Sequence, residues 1–427
     1  MSIEDLRVRF STSRGTLHAV DGVSLQIPDG QTVGLVGETG SGKSVTARSL
    51  LRLVPRPPGR FAGGRILFRP KQRCPRCAGD GCADCDGQGR IPISCRSCDG
   101  AGCPVCDGSG REVIDLLTIP DRRMREIRGN RIAMIFQDPG KALNPGLPIR
   151  RQLAEVFAYH RAEEILRDAG VARESTAFSA RLLRRAAGMR SRTWERALLD
   201  LPPLRAHARR LDAVLDERIA GVLSDTRISN PAHIMQSYPH ELSGGMKQRV
   251  MIAQALACDP DLMIADEPTT ALDVTIQARI LELIQELQQR HRMSVLYVSH
   301  DLSLVRRICH GVAVMYGGRV VELGPADDVF AEPMHPYTRG LLAAVPTRGH
   351  RRGGLQAIEG NVPEFIDPSP SCRFESRCPH ATRVCRERDP ELKTKDARGR
   401  HHVACFLYDE PAELGVASEA MPNGEVR

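Results

Sequence analysis

The chain has 427 residues, more than one ordinary domain needs, with 41% hydrophobic and 26% charged residues and a formal net charge of +8; this balance describes a folded chain with material for a sizeable core. No apolar run reaches the roughly 18–20 residues of a membrane span, and the start MSIEDLRVRF lacks a secretory signal's apolar stretch, so we expect a cytosolic chain that meets membranes through a partner. Aromatics are only 4%, too few for a base-stacking platform, and fourteen cysteines in a cytosolic chain argue against a disulfide framework.

In chain order, LRVRF and VSLQIPDG show the β-branched alternation and turn residues of short strands. QTVGLVG predicts a buried strand running into glycine, and residues 44–54 a helix ended by VPRPPGR. The strand GRILF (64–68) is expected to pair with EVIDL (112–116). The Gly- and Cys-rich stretch between them has almost no large apolar residue, so something other than a core must fold it. Residues 150–220 read as helical, interrupted at Gly170, Gly188 and Pro202-Pro203, and residues 151–220 carry 14 Arg, no Lys and 10 acidic residues. From 247 to 345 apolar strands alternate with amphipathic helices, a parallel α/β pattern. Beyond about 350 the chain turns loop-like.

GETGSGKS, from Gly37 through Glu38, Thr39, Gly40, Ser41, Gly42 and Lys43 to Ser44, has the G-x-x-x-x-G-K-[ST] spacing between a strand and a helix. Glycines let backbone N–H groups curl around phosphates, Lys43 suits the β/γ-phosphates of ATP, and the Ser44 hydroxyl suits Mg²⁺. LMIADE (262–267) is an apolar strand ending in Asp266, placed to hold Mg²⁺, and Glu267, placed to polarise an attacking water. LSGGMKQR (242–249) puts Ser243, Gly244 and Gly245 at a helix start, a second device for an anion.

With these motifs the chain resembles the ABC-type ATPases. The resemblance implies an α/β P-loop fold: a mixed sheet core, an antiparallel β subdomain and a helical subdomain. It further implies a Q-loop glutamine at Gln137 (also a Mg²⁺ ligand), a D-loop aspartate at Asp273 in ALD, a switch histidine at His300 and an adenine-stacking aromatic at Phe10. Two such domains pair head to tail, so Ser243, Gly244 and Gly245 are expected to cap the nucleotide of a partner. MIFQDPGKALNP (134–145), YPHELSGGMKQRVMIAQALA (238–257), DEPTTALDVTIQARIL (266–281), VAVMYGGRVVELGP (312–325) and HPYTRGLLAAVP (335–346) are similar to the ATP-binding subunits of oligopeptide and dipeptide importers, with nickel importers as relatives. That branch implies a second ATPase subunit, two membrane permeases and an extracytoplasmic peptide-binding protein. A homodimer stays open, as does the transported substrate. The expected organisation is a nucleotide-binding domain over 1–70 and 113–330, with a helical subdomain at about 140–250 and an Arg-rich insert at about 165–220. A Cys-rich insertion occupies 71–112 and a C-terminal extension 331–427. For the Arg-rich insert, a solvated elaboration and a docking or regulatory role both stay open.

Residues 74–110 hold four copies of C-x-x-C-x-G-x-G, with Cys74, Cys77, Cys82, Cys85, Cys95, Cys98, Cys103 and Cys106. Each C-x-x-C turn suits one edge of a tetrahedral zinc, so eight thiolates give two Cys₄ sites that would supply the missing folding free energy. An iron–sulfur site or metal-free thiols are the alternatives. The pattern resembles the zinc region of DnaJ-type chaperones, in which repeat one pairs with four and two with three; repeats that abut in each half leave local pairing open as well. The tail has Cys372, Cys378, Cys385 and Cys405 without that knuckle. The importer branch carries a similar pattern, which in some members holds a [4Fe-4S] cluster; zinc or a metal-free loop are the alternatives. His401 and His402 read as solvated, and Cys258 and Cys309 as small core residues. The competing function is a non-transport ABC ATPase that uses its zinc module on DNA or ribosomes. Arg and Asp are mixed in that module, which does not favour nucleic acid.

Overall fold

A computed structural model describes residues 1–77, 82–85, 90–106, 108–170, 183, 187, 202–270, 273–345, 358–396 and 398–409. Its strands are β1 (Ser2–Thr12), β2 (Gly15–Gln26), β3 (Thr32–Val36), β4 (Gly59–Phe68), β5 (Lys71–Arg73), β6 (Arg90–Pro92), β7 (Ile114–Asp115) and β8 (Ile132–Ile135). They continue with β9 (Leu262–Asp266), β10 (Ser294–Ser299), β11 (Gly311–Tyr316), β12 (Arg319–Pro325), β13 (Lys393–Thr394) and β14 (His402–Val403). The chain forms two compact units. One comprises Met1, Ile27–Gln31 and Leu67–Tyr297, and the other Ser2–Gln26, Thr32–Ile66 and Val298–Arg427.

In the second unit β1 and β2 form a long antiparallel hairpin, from Ser2↔Gln26 to Thr12↔Gly15, and β4 extends it in the order β2–β1–β4. A further run has the order β13–β14–β12–β11–β3. β3 is buried along its whole length and pairs parallel with β11, as expected of an apolar strand covered on both faces. The parallel pattern expected to 345 ends here, because β12 returns antiparallel after Gly317 and Gly318, both at positive φ. β14 adds to β12 through Glu322↔Val403 and Leu323↔His402, so the loop-like tail is stitched to a sheet edge. The helix after the glycine loop runs Lys43–Leu50, ending four residues before the expected stop.

In the first unit β8 and β9 pair parallel in the order β10–β9–β8. The expected pairing of residues 64–68 with 112–116 is present as Leu67↔Asp115 and Phe68↔Ile114. The helices Ile149–His160, Ala162–Asp168, Pro202–Asp225, Pro231–Gln236 and Gly244–Leu256 enclose a core of their own. Pro202–Asp225 contributes Leu211, Leu215, Ile219 and Leu223, each fully buried and four apart, which is one stripe of a helix. Its polar flank is tied down by Arg150, which bridges Asp212 and Asp216, and by Arg218, which pairs with Glu164 and Asp168. This part of the helical stretch is therefore core-forming rather than a solvated decoration. Most of the Arg-rich insert, 171–201, lies outside the described residues apart from Leu183 and Ala187, both buried. Cys258 and Cys309 are buried, as small core residues should be.

Candidate functional site

The glycine loop follows β3 directly. Gly37 has φ +147°, and a Cβ there would lie 2.2 Å from the carbonyl oxygen of Met315, so only glycine lets the chain leave the strand this way. Gly42, at φ 101°, is the left-handed residue before the helix Lys43–Leu50. Lys43 is 4% exposed, and its ammonium donates to the carbonyls of Gly37 (2.7 Å) and Glu38 (2.8 Å) and reaches the Ser41 hydroxyl at 3.5 Å. Ser44 is the second residue of that helix. The Glu38 N–H donates to the Tyr337 hydroxyl (2.8 Å), and its carboxylate accepts a two-pronged bond from Arg377 (2.7 and 3.1 Å). Neither tail residue was a sequence-based candidate. Tyr337 lies inside HPYTRGLLAAVP and Arg377 between two tail cysteines, and no local signal marks either as a neighbour of the loop. Phe10 lies on β1 opposite Leu17, half-buried. His300 is exposed at the end of β10, just before Asp301, which caps the next helix.

In the other unit, the register Ile135↔Ala265 puts Gln137 and Glu267 each two residues beyond that paired position, just past the carboxyl ends of adjacent parallel strands. Ligands of α/β sheets gather at such carboxyl ends. Gln137 Nε2 donates to Glu267 Oε2 at 3.1 Å, and the Thr270 hydroxyl donates to the same oxygen at 3.0 Å. Glu267 sits at φ 48°, a left-handed conformation that is strained for a side chain of this type and typical of functional turns. Asp266 is 1% exposed; a carboxylate so buried suits a cation. Ser243 caps the helix Gly244–Leu256, its Oγ accepting from the Met246 N–H at 3.3 Å, while Ser243 and Gly244 are exposed and Gly245 is buried against Ile276. Asp273 caps the helix Val274–His291; Ala271 and Leu272 of the expected ALD motif lie outside the described residues.

The insertion is two consecutive knuckles. The first hangs from the hairpin of β5 and β6, with Arg73↔Arg90 at its base. The second is closed by a bridge between Ser94 and Arg111 and by Cys95 N–H to Gly110 O (2.8 Å). Sulfurs therefore gather within each half: Cys74 with Cys77, Cys82 and Cys85, and Cys95 with Cys98, Cys103 and Cys106. Of the two pairings left open, the local one is present and the DnaJ-like crossed one is not. Sulfur–sulfur distances are 3.8–3.9 Å. A tetrahedral Zn–S bond of about 2.3 Å gives an edge of about 3.8 Å, so the spacing fits zinc. Burial disfavours the Cys106 thiolate, but N–H groups of Cys103 and Gly110 hold its pKa near 7, whereas burial and neighbouring sulfurs push Cys98 up to about 11. Arg90 anchors the module, pairing with Asp259 and Asp261 at the start of β9 (2.6 Å each).

The four tail cysteines line one cavity with His335, Phe374 and Phe406. Cys372 N–H donates to Cys385 O (2.9 Å). Their sulfurs are not drawn together like the insertion's: among the described residues only the two insertion sets lie within 4.8 Å. His401, expected to be solvated, is 4% exposed, and its Nε2 lies 2.8 Å from Glu322. The cause is β14, which carries the tail across β12 and brings the ring over that fully buried carboxylate. His402 is half-buried, 2.8 Å from the Thr394 hydroxyl.

Residues 20–77 and 109–270 match the family described as ABC transporter, and 321–385 match "Oligopeptide/dipeptide transporter, C-terminal region". The gap in the first match falls within the knuckles. The dipeptide transport ATP-binding protein DppD of Bacillus subtilis is 35% identical over 98% of this chain and 97% of its own length. The oligopeptide transport ATP-binding protein AppD of the same organism is 37% identical over 96% and 97%. Among solved structures, a dimeric bacterial ABC transporter cassette is similar over 76% of this chain and 98% of its own, with TM-score 0.47 and 18% identity. The sequence relatives and the glycine loop together define an ABC-type ATPase. The chain belongs to the ATP-binding proteins of ABC transporters, in the oligopeptide/dipeptide group.

Proposed function

We propose that this ATPase is the energy-coupling subunit of an importer for di- or oligopeptides. It works at the cytoplasmic face of the membrane with a second ATPase subunit, two permease subunits and, through them, an extracytoplasmic peptide-binding protein. The near-complete length of the match to peptide-transport ATP-binding proteins, tail included, carries this reading. The helices of the described residues are none of them long and apolar enough to cross a membrane, in keeping with work through partners.

The residues divide the labour by chemistry. Lys43 exchanges loop carbonyls for the β/γ-phosphates, and amides of Gly40 to Ser44 curl around them, with Phe10 against the base. Ser44, Gln137 and Asp266 would hold Mg²⁺, which offsets phosphate charge when bound. Glu267 takes the proton of the attacking water; Gln137, now bonded to it, and His300 orient that water. Ser243, Gly244 and Gly245 cap the nucleotide of the partner subunit, with Asp273 beside them. ATP thus joins two subunits, and its hydrolysis releases them. The insertion's eight thiolates would hold two zinc ions, on the order of 10–16 kcal/mol of folding free energy each. Cys372, Cys378, Cys385 and Cys405 would hold a [4Fe-4S] cluster that pins the tail.

The test is affinity purification of the tagged chain from its native membrane. Two polytopic proteins and a second ATPase should accompany it, and peptide with its binding protein should stimulate ATP hydrolysis in liposomes. Tight, salt-dependent retention on duplex DNA with no membrane partner would sink the reading.

A further inference from the structure

The Arg377 guanidinium is 7% exposed and spends its whole fork. Two N–H groups meet the Glu38 carboxylate, and others meet the carbonyls of Glu359 (2.8 Å) and Gly360 (3.0 Å). Arg377 ends the short turn Glu375–Arg377, between Cys372 and Cys378. Phe374 of the same segment packs on the rings of Tyr316 and Tyr337, with centroids 5.1 and 5.4 Å away. Tyr337 in turn receives the Glu38 N–H, and Lys43 donates to the Glu38 carbonyl. Every polar group of Glu38 is therefore held, two of the three by residues some 300 positions away in sequence. The loop needs such holding. Gly37, Gly40 and Gly42 all have positive φ, and glycine-rich backbone has many other conformations to lose.

We propose that Arg377 and Tyr337, carried by the C-terminal extension, are positioning residues of the nucleotide site: they fix Glu38 and so hold the glycine loop in the shape that receives phosphates. The inference rests on residues 37–44 being the nucleotide-binding loop. The tail is then part of the ATPase site, and the arm that carries Arg377 is framed by the cavity of the four cysteines.

A double-mutant cycle on the full-length chain tests this, with a fluorescent ATP analogue (MANT-ATP) as probe. Glu38→Gln and Arg377→Gln should each raise its Kd about tenfold, and the double variant should be no worse than either single, because both remove one bond. Tyr337→Phe should give a smaller rise. In the assembled ATPase, KM for ATP should rise while kcat stays within about twofold, since neither tail residue touches the reacting phosphate. Arg377→Gln could instead disturb the tail; Glu38→Gln lies outside the tail and should show the same loss. A wild-type Kd in both singles, or multiplied losses in the double, would overturn the proposal. Lys43→Ala is the separate control: if it bound MANT-ATP like the wild type, the loop assignment itself would fail.

Discussion

Three residues give sharp expectations. Glu267 already shares Oε2 between Gln137 and Thr270, so the shape of its turn does not depend on its charge. Glu267→Gln should keep ATP binding and lower turnover at least about 100-fold, trapping an ATP-joined pair of subunits visible by size-exclusion chromatography; normal turnover would refute Glu267 as the base. His335 is buried, and desolvation lowers its pKa to about 4; its Nδ1 caps a helix by accepting the Tyr337 N–H. With the folded value below the ordinary one, stability present above about 6.5 is lost as pH falls through about 4. His401 works in the other direction. Its hydrogen bond to Glu322 raises its pKa, so its contribution is complete below about 6.5 and fades as pH rises through the raised value. His335→Asn retains a capping oxygen without a titrating ring. It should lose less thermal midpoint than the wild type between pH 6.5 and 4, and equal losses would count against the assignment.

At the scale of elements, the Cys-rich knuckles separate two pairings that sequence alone leaves equal. Four evenly built repeats read the same whether sulfurs close locally or crosswise. The decision lies in strand pairs, Arg73↔Arg90 and Ser94 with Arg111, that close each half on its own base. Removing 95–110 and joining Ser94 to Arg111 should therefore leave one zinc per chain by elemental analysis, where the intact chain should hold two. A crossed arrangement would leave none. The glycine loop and the β9 carboxylates were legible in advance because strand, turn and helix follow one another within a dozen residues. The contact of Gln137 with Glu267 needed the β8–β9 register as well. His401 was misread because a polar tail gives no hint that β14 will lay it over a buried carboxylate.

For the whole molecule, the tail was recognisable as family sequence, yet its physical role was not. Arg377 and Glu38 stand 339 positions apart, and nothing in either local string announces the other. The cavity of four cysteines sits beside this contact. Anaerobically purified chain should hold about four iron per molecule and show a broad visible absorbance bleached by dithionite; Cys378→Ser should lose both, and colourless, iron-free wild-type protein would rule the cluster out. The base of the first knuckle has a practical side. Arg73 and Arg90 face each other as hairpin partners, so everything between them leaves and returns through a doorway one strand pair wide. Such narrow junctions accept foreign cargo. A compact fluorescent reporter grafted there in place of the knuckle would hang beside Arg90, which pairs with Asp259 and Asp261 just ahead of the strand that ends in Asp266.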